Sequence, residues 1–397
     1  MRIHYITRMN FGSSKAHVYN TARTCEALNK IKGHLVTLVS SDDTVRSDID
    51  RQEYFRKNGV IHPFTIISLN SWSRFFAKKH SRIANYLEVV LVNLTLTRYL
   101  LTHSSDIDCV YFRDPLTPLP IVIAKYILRK PIFFEIHAVL IKKSTQKLGE
   151  YLARISNGLI NISYGLNEYY TRINSHSIVS FCAAAEPERF AGVTESKEAL
   201  RISLNLPEHN IICAYSGNLY RTGNNDSYGI DDIIRAFPLL GKEYMFVGVG
   251  KKGNETAELE LLAHELGVHD RIKFMPWVGK DVVARYLRAA DILMIPAAGA
   301  RIGNSPTKMF EYLVSGRPIV AAKTGAIEAV LKNERNALVV EYTKPEAWAN
   351  AIQRLAQDTV LSDQLVKQAQ ADGALLTWDQ RARDIVGFIT ERTHISS

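Results

Sequence analysis

Short apolar runs rich in Val, Ile and Phe alternate with helix-length stretches along the whole chain. In the first half the runs are Ile3–Thr7, Leu35–Ser40, Ile61–Leu69, Cys109–Phe112, Ile132–Ile136 and Gly158–Ser163. Helical stretches lie between them, over about 16–30 and 83–103 and from Gly165–Tyr170. The second half repeats the logic with strands at Ile211–Ser216, Tyr244–Gly248, Ile272–Met275, Ile292–Ile295 and Pro318–Ala321. Its helices are expected at Ile230–Leu239, Glu255–Gly267, Asp281–Ala290 and Pro306–Ser315. Apolar strands joined by helical crossovers predict parallel sheets covered on both faces. A chain of 397 residues exceeds one ordinary core, so two domains are expected. The fold class is α/β: two Rossmann-like domains with a cleft between them, ligands binding at the carboxyl ends of the strands. The first domain is expected over 1–185 and the second over 186–379. The small, Pro-containing run 181–190 is the hinge, and a helix near 382–391, within a segment of about 380–397, packs back onto the first domain.

Charge separates the halves. Residues 1–200 hold 26 Lys and Arg against 17 Asp and Glu, whereas residues 201–397 hold 23 of each. The excess concentrates in 51–150, with 15 basic and 7 acidic residues. A basic domain beside a neutral one implies an anionic partner for the first. The segment Trp72–Arg82 interleaves aromatic and basic residues, which suits a membrane interface; a solvated helix with aromatic residues facing the core is the plainer reading. The N-terminus opens directly on a strand pattern, without the apolar stretch of a signal peptide. Leu87 to Leu101 is broken by Glu88, Asn93 and Arg98 and is too short to span a bilayer. The expected location is cytoplasmic, peripheral at the inner face of the plasma membrane. Cys25, Cys109, Cys182 and Cys213 form no CxxC pair and are expected to be reduced.

The stretch 303–320 carries the most chemistry. Ser305 can cap a helix and Pro306 suits its first turn, so the amides of Gly303, Asn304, Ser305 and Thr307 face an anion such as a diphosphate. Lys308 adds a point charge in that turn. Glu311 follows one turn later, spaced to reach hydroxyls beside the phosphates. An ordinary capped helix with a solvated Glu311 fits the same letters.

From Val247-Gly248-Val249-Gly250 through Asp270-Arg271-Ile272-Lys273-Phe274, Tyr286–Asp291, Lys308–Pro318 and Asn336-Ala337-Leu338, the order and spacing resemble the family-four retaining glycosyltransferases, the group 1 glycosyltransferases. The first half resembles them more loosely, in the Gly12 loop and in His137 after a strand. The resemblance implies a GT-B fold and sugar transfer from a nucleotide-sugar donor to a glycan or lipid-linked acceptor with retained configuration. It implies neither metal nor cofactor, and a place in polysaccharide or glycolipid biosynthesis. Glu311 matches the second glutamate of the family's paired motif, which holds the ribose hydroxyls. The first glutamate is replaced by Gly303. The family's two basic diphosphate ligands map onto Asn218, after Gly217, and Tyr228; both are missing, and Arg221 with Lys308 is expected to substitute. His137 matches the histidine that contacts the donor sugar, although a structural histidine at a strand end remains an alternative. Glu135 shares its side of the strand, and either orients the imidazole or is a bystander. Gly12, with Ser13, Ser14 and Lys15, reads as a second amide-rich loop or as an ordinary turn.

The Asp48-x-Asp50 and Asp106-x-Asp108 pairs match the metal-holding pair of single-domain transferases, yet read better as solvated turn residues. Val247–Gly250 lacks the third glycine of a dinucleotide site. The altered positions keep two rivals open: another GT-B enzyme, such as a nucleotide-sugar epimerase or a glycogen-synthase-like transferase, and a non-catalytic nucleotide-sugar-binding protein. No nucleic acid is expected as a partner.

Overall fold

The computed structural model describes residues 1–394 except 14, 15, 43, 70–81, 141, 220–228 and 298–306. Its strands are β1 (Arg2–Thr7), β2 (Leu35–Ser40), β3 (Thr65–Ser68), β4 (Cys109–Phe112), β5 (Ile132–Ile136), β6 (Gly158–Asn161) and β7 (Ser177–Val179) in one sheet. β8 (Ile211–Ser216), β9 (Tyr244–Val249), β10 (Ile272–Met275), β11 (Ile292–Ile295), β12 (Ile319–Ala322) and β13 (Leu338–Val340) form the other. The orders are β3-β2-β1-β4-β5-β6-β7 and β10-β9-β8-β11-β12-β13, and neighbouring strands pair in parallel. β4 and β11 are buried at every position. That is why these runs read as continuously apolar instead of alternating. Strand order reverses beside β1 in one sheet and beside β8 in the other, so ligand-binding crevices are expected at their carboxyl ends.

Three local expectations are corrected. The strand expected over Ile61–Leu69 shortens to Thr65–Ser68. The amides of Ile61 and His62 donate to the Glu26 carboxylate at 2.7 Å instead of to a ladder, and Pro63 has no N–H to offer. The helix expected over Ile230–Leu239 stops at Ile234, and a separate short 3₁₀ turn, Phe237–Leu239, carries Pro238. Asp48 and Asp50 are not loop residues: they open the helix Asp48–Lys57, where Ser47 and Asp50 close a capping box. The second pair, Asp106 and Asp108, engages the Arg2 guanidinium at 3.4 and 2.9 Å.

The chain divides into two compact units, Met1–Cys182 with Trp378–Ser397, and Ala183–Thr377. The first break falls three residues before the expected one and the second two residues before. The terminal helix runs Trp378–His394, four residues earlier than the expected start. Within the first unit it lies against the helix Ala16–Asn29 and β6. Trp378 meets the Tyr19 ring at 6.5 Å, Phe388 meets Phe133 at 6.2 Å, and Asp379 pairs with Lys30 at 2.8 Å. The four cysteines are unpaired; three are buried and Cys182 is half-buried.

Candidate functional site

In the first unit the parallel register sets Tyr5 opposite Tyr111 and Tyr111 opposite Phe133. Side chains two apart share a face, so Glu135 joins this row and His137 follows at the end of β5. Glu135 is buried at 2% exposure. Its Oε2 accepts from the Tyr111 hydroxyl and from Arg381 Nη2, the latter at 2.8 Å. Its Oε1 meets His137 Nε2 at 2.5 Å. Arg113, just past β4, approaches His137 Nδ1 at 3.4 Å and donates to Thr21 Oγ1 at 2.9 Å. Burial opposes the charge on Glu135, but Arg381, then His137 and Arg113, outweigh it and hold the carboxyl well below the usual range. For His137 burial lowers the pKa, Arg113 adds to that, and Glu135 only partly offsets it. The imidazole is therefore neutral near pH 7, with about a quarter of its side chain exposed.

Of the two readings of the Gly12 loop, an amide-rich loop or an ordinary turn, the hydrogen bonds of its described amides favour the turn. Phe11 N donates to Asp42 Oδ2 at 2.6 Å, Gly12 N to Asn10 Oδ1 at 2.8 Å, and Ser13 N to Asn10 O at 3.2 Å. The Gly12 and Ser13 amides serve the turn itself, and that of Phe11 ties it to Asp42. Ser14 and Lys15 lie outside the described residues.

In the second unit the site gathers at the carboxyl ends of β8 and β9. Gly217 has φ of +149°, and a Cβ there would lie 2.7 Å from Tyr215 Oη and 2.8 Å from Lys308 Nζ. A Cβ on Gly250 would fall 1.6 Å from the Gly217 carbonyl oxygen. Gly250 thus serves the close approach of two strand ends, and Gly248 leaves room for the Phe274 and Phe246 rings. The helix Thr307–Leu313 is fixed against β8 by Tyr312, whose hydroxyl accepts from Ser216 N at 2.8 Å. From it Lys308 Nζ donates to Tyr215 Oη at 2.8 Å and lies 4.0 Å from the ring centroid. Tyr215 Oη in turn donates to the Asn218 carbonyl at 3.1 Å. Burial pulls the Lys308 pKa down to about 7, against a smaller upward pull from Glu311. Glu311 pairs with Lys280 Nζ at 3.2 Å.

The structure therefore brings Gly217, Asn218, Lys308 and Glu311 together in one unit, and Glu135 with His137 in the other. Arg221, Gly303, Asn304, Ser305 and Pro306 lie outside the described residues, as does Tyr228. Sequence reasoning missed Tyr215, Lys280, Arg113 and Arg381. The aromatic at the penultimate position of β8 was a usable signal for Tyr215; the other three become neighbours only through the fold. Among the described residues no three His, Cys, Asp or Glu side chains group as metal ligands.

Two Rossmann-like units with these groups at their strand ends define a chain of GT-B fold. Residues 211–358, all within the second unit, match the family described as glycosyl transferases group 1. The D-inositol 3-phosphate glycosyltransferase of Xylanimonas cellulosilytica is 29% identical over 201 residues, 50% of this chain and 46% of that protein. The chain thus spans about half the length of that curated relative. An uncharacterized glycosyltransferase of Methanocaldococcus jannaschii is 23% identical over 87% of this chain and 88% of its own. Among solved structures, Anabaena HepE in complex with UDP superposes with a TM-score of 0.73 at 15% identity, covering 98% of this chain and all of that one. This last likeness shows the fold.

Proposed function

We propose that the chain is a retaining glycosyltransferase that moves a sugar from a nucleotide-sugar donor to a glycan or lipid-linked acceptor without a metal ion. The observation that carries this reading is Lys308. A half-buried ammonium beside the Cβ-free edge of Gly217, its pKa drawn down to about 7, gains most from an anion that restores its charge. A diphosphate fits that need, and Glu311 one turn later offers a carboxylate to neighbouring hydroxyls. Arg221 and the amides around Gly303–Ser305 complete the donor ligands in this reading. His137 faces the sugar, and Glu135 acts through it by holding the ring.

Thermal-shift screening with UDP-, GDP-, ADP-, dTDP- and CMP-sugars identifies the donor. UDP-glucose is the first probe, since HepE is also solved with it. Donor consumption should then persist in EDTA. His137→Ala should lower turnover about a hundredfold, as misplacement at a reacting centre does, while binding of the bare nucleotide changes little. Strict metal dependence, or binding without any transfer or hydrolysis, would overturn the reading in favour of its rivals.

For the acceptor side we propose contact with an anionic membrane surface. Trp72–Arg82 supplies cations in sequence but lies outside the described structure apart from the backbone of Arg82. The helix Arg82–Thr102 that follows exposes Ile83, Tyr86, Val90, Leu94 and Leu101 at helical spacing, the first two at 74% and 71%. Such an apolar stripe in water marks an interaction surface. No helix among the described residues is long and apolar enough to cross a membrane, so the stripe would lie in the interface plane. Co-sedimentation with phosphatidylglycerol vesicles, lost with neutral vesicles or high salt, is expected. Indifference to anionic vesicles at low salt removes the membrane from the proposal.

A further inference from the structure

Arg381 stands on the terminal helix in a stripe with Trp378, Ile385 and Phe388, at the i, i+3, i+7, i+10 spacing of one helical face. All four are nearly buried, and Arg381 is the charged member. Its guanidinium sends Nη2 to Glu135 Oε2 at 2.8 Å and Nη1 to Ser180 Oγ at 3.4 Å. The pair is deeply buried, with side-chain exposures of 5% and 3%. Glu135 thus meets three partners on its two oxygens: the donors Tyr111 and Arg381, and a ring nitrogen of His137.

We propose that Arg381 is a positioning residue for His137: by keeping Glu135 ionised it makes Glu135 an acceptor only, so that His137 carries its proton on Nε2 and leaves Nδ1 bare. An ionised carboxylate has no hydrogen to donate, so the ring nitrogen 2.5 Å away must supply one. Nδ1 then faces the Arg113 guanidinium as a lone pair. The charged groups around the ring are Glu135 on β5, Arg113 after β4 and Arg381 on the terminal helix, with the Tyr111 phenol on the far oxygen of Glu135. Without Arg381, burial favours a protonated Glu135. That acid can donate as well as accept, and the ring loses its single orientation. Adhesion alone does not explain the pair. Buried ion pairs are often no more stable than apolar residues of similar size, and the rest of the stripe is apolar. What an apolar side chain could not supply is the fixed charge on Glu135.

The consequence for sugar transfer rests on the glycosyltransferase reading; the tautomer does not. The full chain, labelled with ¹⁵N-histidine, is read by multiple-bond ¹H–¹⁵N correlation, with His137→Gln identifying the signal among 12 histidines. Wild type should show one neutral tautomer at neutral pH, protonated on Nε2. Arg381→Met should lose that single state, whereas Arg381→Lys, which keeps the charge, should retain most of it. A folded Arg381→Met with the wild-type signal overturns the proposal. So does a wild-type ring protonated on Nδ1, which decides the matter even if Arg381→Met fails to fold. Where transfer is measurable, Arg381→Met should lower kcat about tenfold or more with donor KM changed less than about twofold. If wild type transfers nothing, the functional reading fails while the tautomer result stands.

Discussion

The two units handle buried charge in opposite ways. In the first, the carboxylate of Glu135 is surrounded by donors from three elements of its own unit, and its neutralisation requires no ligand. In the second, Lys308 rests on the ring and hydroxyl of Tyr215, while the carboxylate one turn along its helix pairs with Lys280. A charge met by protein groups fixes geometry before anything binds. A lysine whose charge burial disfavours despite Glu311, as at Lys308, can respond to a bound anion. The first unit thus presents a preset ring, and the second a charge whose state depends on its ligand.

The largest expected effect tests the first half of this contrast. Arg381→Met leaves Glu135 buried without its main counter-charge, so folding must either bury an unpaired charge or protonate the acid, and should cost about 3–5 kcal/mol. Adding Glu135→Gln removes the group that has to be neutralised and should recover most of the loss. Urea unfolding of the three chains measures both, and equal losses in the single and double variants would break the ion-pair account. Lys308→Met sharpens the comparison from the other side. Removing a cation that burial disfavours should leave stability unchanged or raise it, so a loss comparable to that of Arg381→Met would make the two units alike.

The alternation of strands and helices was readable because each strand of a doubly covered parallel sheet must be apolar throughout, and this is a local property. Lys308 and Glu311 were readable for a similar reason: their spacing alone sets them on one side of a helix. Glu135 and Arg381 are 246 residues apart and meet only because the chain crosses back to its first unit. The helix expected near 382–391, within a segment of about 380–397, gave Arg381 no distinct place, although Trp378, Arg381, Ile385 and Phe388 already form a stripe. The Gly12 loop stayed between two readings for another reason: one of the acceptors that engage its amides, Asp42, lies beyond the next strand in sequence. Lys280 carried no local mark that it would face Glu311.

The smallest effect is the most specific to the second unit. Burial sets the Lys308 pKa near 7 in the free protein, and a bound diphosphate stabilises the ammonium, raising its pKa in the complex. Below about pH 7 the lysine is already charged, and binding a nucleoside diphosphate sugar should depend little on pH. Above it, binding must first restore the proton. The affinity should then fall with rising pH, approaching tenfold per unit until the pKa of the complex is reached. A nucleotide sugar suits this measurement because its diphosphate ester has no proton that titrates near neutrality. Calorimetry in two buffers of different ionisation enthalpy should show up to about one proton taken up per ligand near pH 8 and little below pH 6. Lys308→Met should abolish the uptake and weaken binding at pH 6 by about 1–3 kcal/mol, the usual cost of a charged hydrogen bond. Its affinity should then be flat with pH, so that wild type and variant converge in alkaline solution. Uptake that persists in Lys308→Met assigns the proton to another group, and the contrast between the two units then rests on Glu135 alone.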